Sequence, residues 1–163
     1  MMRRKLSRTL LAVILGVVVQ CNGNADDHPA LTPADEAYSA ERYEEAAALY
    51  RRDAELGIVA AQVNLAFMYM DGQGVPQDYK QAATWFLRAA DQGNAEAQQN
   101  TGLLYQEGKG VAQNLVEADK WFTIAGAAGN AAAVEKNMTQ EQIAEAKKLA
   151  NEWVSRFKRS GHP

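Results

Sequence analysis

The sequence predicts an all-α fold, a solenoid of antiparallel helix pairs with a C-terminal capping helix. Three observations carry this prediction. Residues 61–96 laid over 97–132 give 15 identities in 36 positions, against roughly two or three expected for ordinary composition. Each period holds the same glycine frame, with Gly72-Gln73-Gly74-Val75 answered by Gly108-Lys109-Gly110-Val111. Between the glycines, apolar residues recur at the spacing of a helix face rather than of a strand. A period of this length marks a repeat architecture, in which units bury their apolar faces against one another.

The chain has 163 residues, which suits one domain, and its start reads as separate from that domain. Residues 1–9 carry Arg3, Arg4, Lys5 and Arg8 and no acid; Leu10 to Val19 is an unbroken apolar run; Gly23 and Ala25 are small residues before Asp26. This is the layout of a signal peptide cleaved after Ala25. The run is shorter than the roughly 20 residues a membrane span needs, so a retained anchor fits less well. Cys21 also follows the run, but Val18-Val19-Gln20 precede it where a lipobox has Leu-Ala-Gly. Cleavage after Ala25 would remove the single cysteine and four basic residues. The mature protein would be acidic, without disulfides, and expected in the periplasm or secreted. An acidic chain with no basic stripe argues against nucleic acid as a partner.

Residues 26–34 are polar with Pro29 and Pro33 and read as a linker. Residues 35–57 read as a degenerate first unit, a short helix from Asp35 to Ala40 and a longer one from Tyr43 to Leu56. Tyr43, Ala46, Ala47, Arg52, Ala54 and Gly57 lie one period before Tyr79, Ala82, Ala83, Arg88, Ala90 and Gly93. Terminal repeats face solvent on one side, which permits such drift.

The first clear unit covers 59–93. Its helix A, Val59 to Met70, has Ala61, Leu65, Met68 and Tyr69 on one stripe. Gly72 stands where that helix stops, since glycine takes the left-handed conformation at low cost. Gly74 permits a second bend, Val75 tucks between helices, and Pro76 cannot extend the preceding helix. Asp78 followed by Gln81 has the spacing of a capping box and opens helix B, Tyr79 to Gln92, packed through Ala82, Trp85, Phe86 and Ala89. Gly93-Asn94 ends it. The second unit, 95–129, repeats the plan. Helix A is Ala95 to Glu107, Gly108 and Gly110 turn the chain, and helix B runs from Leu115 to Ala128 with Ala118 and Trp121 on its stripe. Gly129-Asn130 is expected to end it. A third helix A starts at Ala131 and fails after Asn137. Thr139 with Gln142 again has capping-box spacing, and a helix to about Lys158 presents Ile143, Ala146, Ala150, Trp153 and Phe157. That stripe is expected to close the open end of the stack, giving a capping helix over 134–158 and a tail over 159–163.

The stretch from Ala61 to Tyr79, then Ala82, Trp85, Ala89-Ala90 and Gly93, resembles the Sel1-like repeat, a relative of the tetratricopeptide repeat with a longer glycine-bearing turn. The ending from Met138 to Trp153 is similar to a tail that often follows such repeats. The resemblance implies a right-handed superhelix and a role in protein–protein interaction or signalling.

The residues that could carry chemistry have structural explanations. The glycine turns lack the Gly-x-x-x-x-Gly-Lys-Ser/Thr pattern of a phosphate loop. Trp85-Phe86 and Trp121-Phe122 recur with the period, as core residues do. Ser155 and Lys158 match Ser-x-x-Lys but without the partner motifs of a serine acylase. The resemblance admits a hydrolase acting on cell-wall or β-lactam-like substrates, for which that pair is the sequence handle. A membrane-tethered adaptor, held by the leader or by Cys21, is the third reading. His28 and His162 are isolated near the ends, so neither a metal nor a cofactor is expected. The favoured function is a non-catalytic scaffold that binds a protein or peptide on the A helices, which line the concave face of such solenoids. Val63, Phe67, Met70, Gln99, Leu103 and Gln106, off the packing stripe and variable between copies, are the candidate contacts.

Overall fold

A computed structural model describes residues 31–161; the leader, Cys21 and most of the linker lie outside the described residues. Among the described residues eight α-helices follow one another: α1 (Pro33–Ser39), α2 (Tyr43–Glu55), α3 (Val59–Asp71), α4 (Tyr79–Asp91), α5 (Ala95–Glu107), α6 (Leu115–Ile124), α7 (Ala128–Glu135) and α8 (Gln140–Arg159). Each helix from α1 to α6 packs on the next in the chain, and α8 packs on α6. The odd-numbered helices α1 to α7 are the A helices, and α2, α4 and α6 are their B partners.

Capping chemistry sets the helix starts. Thr32 caps α1 in a reciprocal capping box with Asp35, and Pro33 is its first residue, so the helix opens two residues before Asp35. Asp78 and Asn114 cap α4 and α6 by accepting two backbone N–H bonds each. The capping box expected between Asp78 and Gln81 is one-sided: Asp78 takes the Gln81 N–H, and the Gln81 side chain does not reach back. At Thr139 the box is complete, with Gln142 returning the bond.

The two glycines of each turn have separate tasks. Gly72 and Gly108 are the left-handed C-caps of α3 and α5. Gly74 and Gly110 bring each turn against the start of the preceding B helix. A Cβ on Gly74 would lie 2.2 Å from the Tyr43 carbonyl, and one on Gly110 would lie 2.0 Å from the Tyr79 carbonyl oxygen. The second glycine is thus an inter-repeat contact as well as a bend. Val75 and Val111 are half-buried against the main core beside it.

Ala82, Trp85, Phe86, Ala118, Trp121 and Phe122 are all buried. Small alanines bring the helices close, and the aromatic rings fill the space between units. Two buried glutamines stitch successive units: Gln62 Nε2 donates to the Ala54 carbonyl at 3.2 Å and Gln98 Nε2 to the Ala90 carbonyl at 3.1 Å. Each satisfies a carbonyl in the last turn of the previous B helix.

The second unit closes earlier than its sequence predicts. Helix α6 ends at Ile124, Gly126 takes a positive φ of 71°, and α7 begins at Ala128. Gly129 therefore lies inside α7 and ends nothing; a Cβ there would meet no atom within 4 Å. The stop has moved because Gly126 occupies the place of Ala90, a buried residue still within the last turn of α4. Counted from their N-caps, Ala131 and Val134 of α7 take the places of Gln62 and Leu65 in α3 and of Gln98 and Thr101 in α5.

Helix α8 does more than cover the end of the stack. It runs along α6 and back to the first clear unit. Lys147 pairs with Glu135 of α7 at 2.9 Å. Further along, Trp153 meets Trp121 edge to face at 5.9 Å, and its Nε1 donates to Asp91 of α4. Phe157 stacks on Trp153 and lies over Gly93, whose added Cβ would come within 2.5 Å of the ring. Ala146, Ala150 and Trp153 are buried, while Ile143 and Phe157 are half-buried.

Candidate functional site

Between α1 and α3, with α2 behind them, lies a hollow of about 300 Å³ lined by Tyr38, Tyr50, Asn64, Phe67, Met68 and Asp71. Four of these come from α3 at i, i+3, i+4 and i+7, which places them on one helix face. Tyr50 stands one period before Phe86 and two before Phe122, and all three rings are buried. Its hydroxyl donates to Asp35 Oδ1 at 2.6 Å. Burial, and then the bond to that carboxylate, push the Tyr50 pKa up, so the phenol stays protonated. Burial works to raise Asp35, but the bonds from Tyr50 and Thr32 hold its carboxyl below the usual value. Tyr38 donates to Gln73 Oε1 at 2.7 Å and so ties α1 to the turn after α3. Phe67 stands edge-on to Phe86 with ring centroids 5.0 Å apart. Aromatic walls, an amide and a carboxylate at the rim make a surface suited to holding a side chain.

Of the predicted contact residues, Phe67 lines this hollow. Val63 is only 5% exposed and is a core residue, a correction to the sequence reading. Met70 is half-buried against the same core. Gln99 is exposed; Leu103 is half-buried against the Ala118–Phe122 cluster. Gln106 is half-buried, and its backbone carbonyl accepts from Gln113 Nε2 at 2.9 Å. These three do not line the hollow. Sequence reasoning missed Tyr38, Tyr50, Asn64 and Asp71. One signal was available, the stripe Asn64-Phe67-Asp71 echoed as Asn100-Leu103-Glu107.

Ser155 and Lys158 are exposed on α8, and no hydrogen bond joins them. Among the described residues no metal-ligating cluster of three side chains forms, and no helix is long and apolar enough to cross a membrane.

A second buried titratable group lies elsewhere. Asp119 of α6 has no exposed surface, and neither carboxylate oxygen has a hydrogen-bond partner. Burial, then the Glu135 charge, raise its pKa, and Lys147 pulls against them. The repeat-equivalent residue is Ala83. A buried carboxylate without partners costs stability when ionised. A carboxyl whose folded pKa lies above its unfolded value imposes no ionisation penalty below the ordinary 3.8, and the penalty grows as pH rises through the folded value. Asp119→Ala is therefore expected to stabilise the protein at pH 7 by roughly 1–3 kcal/mol. The gain should shrink as the pH falls towards 3.8, as read by urea denaturation across that range. A gain independent of pH would mean that packing, not charge, is what Asp119 disturbs.

The glycine turn, the Trp-Phe pair on α4 and α6 and the helix-pair stacking coincide twice at one period. Residues 59–94 and 95–130 each match the Sel1 repeat. The chain carries two Sel1 repeats. Solved structures are similar to it. One is c5321, a protective antigen present in uropathogenic Escherichia coli strains displaying an SLR fold, at 30% identity and a TM-score of 0.73 over 78% of this chain. Another is a Sel1 repeat protein from Oxalobacter formigenes, at 32% identity and a TM-score of 0.54 over 74% of this chain. The matches cover 29% and 54% of those chains. No curated protein gives a significant match. Sel1 repeats typically mediate protein–protein interaction and generally serve as non-catalytic scaffolds.

Proposed function

We propose that this Sel1 repeat chain is an exported, non-catalytic adaptor that binds a protein partner through an extended segment laid along its A helices. The hollow between α1 and α3 carries this reading. It combines aromatic walls, with Tyr50 buried, Phe67 half-buried and Tyr38 exposed, with polar groups at the rim, the composition of a pocket that anchors one side chain and orients the backbone beside it. Export follows from the leader of residues 1–25, and cleavage after Ala25 gives a mature chain beginning at Asp26.

The test uses that mature chain, its start verified by intact mass. A random dodecapeptide display library is selected on it, and an enriched peptide is titrated into the isotope-labelled protein. Amide shifts are expected to cluster on α1, α3 and α5 around Asn64, Phe67 and Asp71. Phe67→Ala, with the helical spectrum retained, is expected to weaken binding about tenfold or more, as loss of an aromatic anchor does. Shifts confined to the outward B helices, or unchanged affinity in the variant, would refute the proposed face.

A further inference from the structure

We infer that the hollow between α1 and α3 is a subsite for a cationic side chain, the lysine or arginine of a peptide partner. The inference rests on the peptide-binding reading above and adds to it the chemistry of the anchor.

Helices α1, α3, α5 and α7 carry six charged residues, Asp35, Glu36, Asp71, Glu96, Glu107 and Glu135, and none is basic. The A helices therefore present one sign of charge, which attracts a partner of the other sign.

The two turns differ in how they treat the carboxylate that ends the A helix. Glu107 ends α5, and Lys109 in the turn answers it at 2.7 Å. Asp71 ends α3 in the same way, but Gln73 stands where the second turn has its lysine. Gln73 is instead engaged by the Tyr38 hydroxyl. Among the described residues Asp71 forms no ion pair within 4.0 Å. The C-terminal end of a helix carries partial negative charge, so a carboxylate there is disfavoured unless a cation joins it. The second repeat supplies that cation from its own chain, and the first leaves the place open beside the hollow.

Tyr38, Tyr50 and Phe67 offer aromatic rings, which attract a cation. Phe67 and Met68 offer apolar contact for the methylene stem that separates a lysine or arginine charge from its backbone. The exposed Asp71 can meet the charged end without the heavy desolvation a buried partner would require.

The experiment selects the dodecapeptide library in parallel on the wild type, on Asp71→Asn and on Gln73→Lys. The last variant places in the first turn the residue found in the second. Wild-type selection is expected to fix lysine or arginine at one peptide position. The selected peptide is expected to bind both variants about tenfold more weakly, the usual effect of losing one charge-assisted contact. Replacing that lysine by norleucine, or arginine by citrulline, should cost the wild type about the same factor. In Asp71→Asn it should cost little further, as two ends of one interaction require. Added salt should weaken wild-type binding more than binding to Asp71→Asn. Thermal melts verify that each variant is folded. Peptides that map to the A-helix face with no basic position, or that bind Asp71→Asn as tightly as wild type, overturn the cationic subsite and leave the peptide reading standing. Peptides that map elsewhere overturn both.

Discussion

Gly110→Ala is expected to destabilise the protein by more than about 4 kcal/mol, at the far end of single-substitution effects. Two costs combine. Gly110 has φ of 73°, where any L side chain is strained by about 1–2 kcal/mol. The added Cβ would also stand 2.0 Å from the Tyr79 carbonyl oxygen and 2.3 Å from its carbonyl carbon. Those are backbone atoms in the first turn of α4, so no rotamer change relieves the overlap; the α5–α6 turn must lift from the preceding B helix. Gly126→Ala separates the costs. Gly126 has φ of 71° but nothing within 4 Å of its added Cβ, so it should lose only the strain, about 1–2 kcal/mol. Chemical denaturation of the two variants gives the comparison. Equal losses would mean that backbone conformation alone requires the second glycine, and that the turn does not bear on the helix before it.

Those glycines also show how far the sequence could be read. The period, the left-handed caps at Gly72 and Gly108 and the buried Trp85-Phe86 and Trp121-Phe122 pairs follow from local chemistry repeated at fixed spacing. The contact of Gly74 with Tyr43 does not, because it joins residues of successive units and leaves only a glycine as its trace. The shift at the end of α6 was hidden by a coincidence of residues. Gly129-Asn130-Ala131 copies Gly93-Asn94-Ala95, but Gly126 comes first along the chain and stops the helix. The candidate site was half legible for a different reason. Helix α3 is apolar on most of its surface, with buried residues at 61, 62, 63, 65, 66 and 68, so it has no broad polar face to show which side is open. The stripes 63-67-70 and 64-67-71 share Phe67 and differ by a small rotation, and the structure opens the second. Its other wall, Tyr38, belongs to a unit whose sequence marks it as a degenerate end.

Trp153→Ala is expected to cost about 3–5 kcal/mol, the range for removing a buried aromatic side chain. The ring is 8% exposed and joins three parts of the molecule: Trp121 of α6 at 5.9 Å, Phe157 one turn along α8 at 4.7 Å, and Asp91 of α4 through Nε1 at 3.3 Å. In a repeat array each unit is stabilised chiefly by its neighbours, so the loss should be local. Hydrogen exchange is expected to show α8 opening first, with α7 following because the Lys147–Glu135 pair no longer has a fixed helix to act from. The inner turns of α3 and α4, packed through Leu65, Met68 and Phe86, should keep their protection. Asp91→Asn is the milder companion: it keeps an acceptor for the indole and should cost under about 1 kcal/mol, as neutral hydrogen bonds do. Uniform loss of protection along the whole chain in Trp153→Ala would show that α8 acts as part of a single cooperative core. Loss confined to α6, α7 and α8 would identify it as a strap whose release leaves the α1–α3 hollow intact and able to bind.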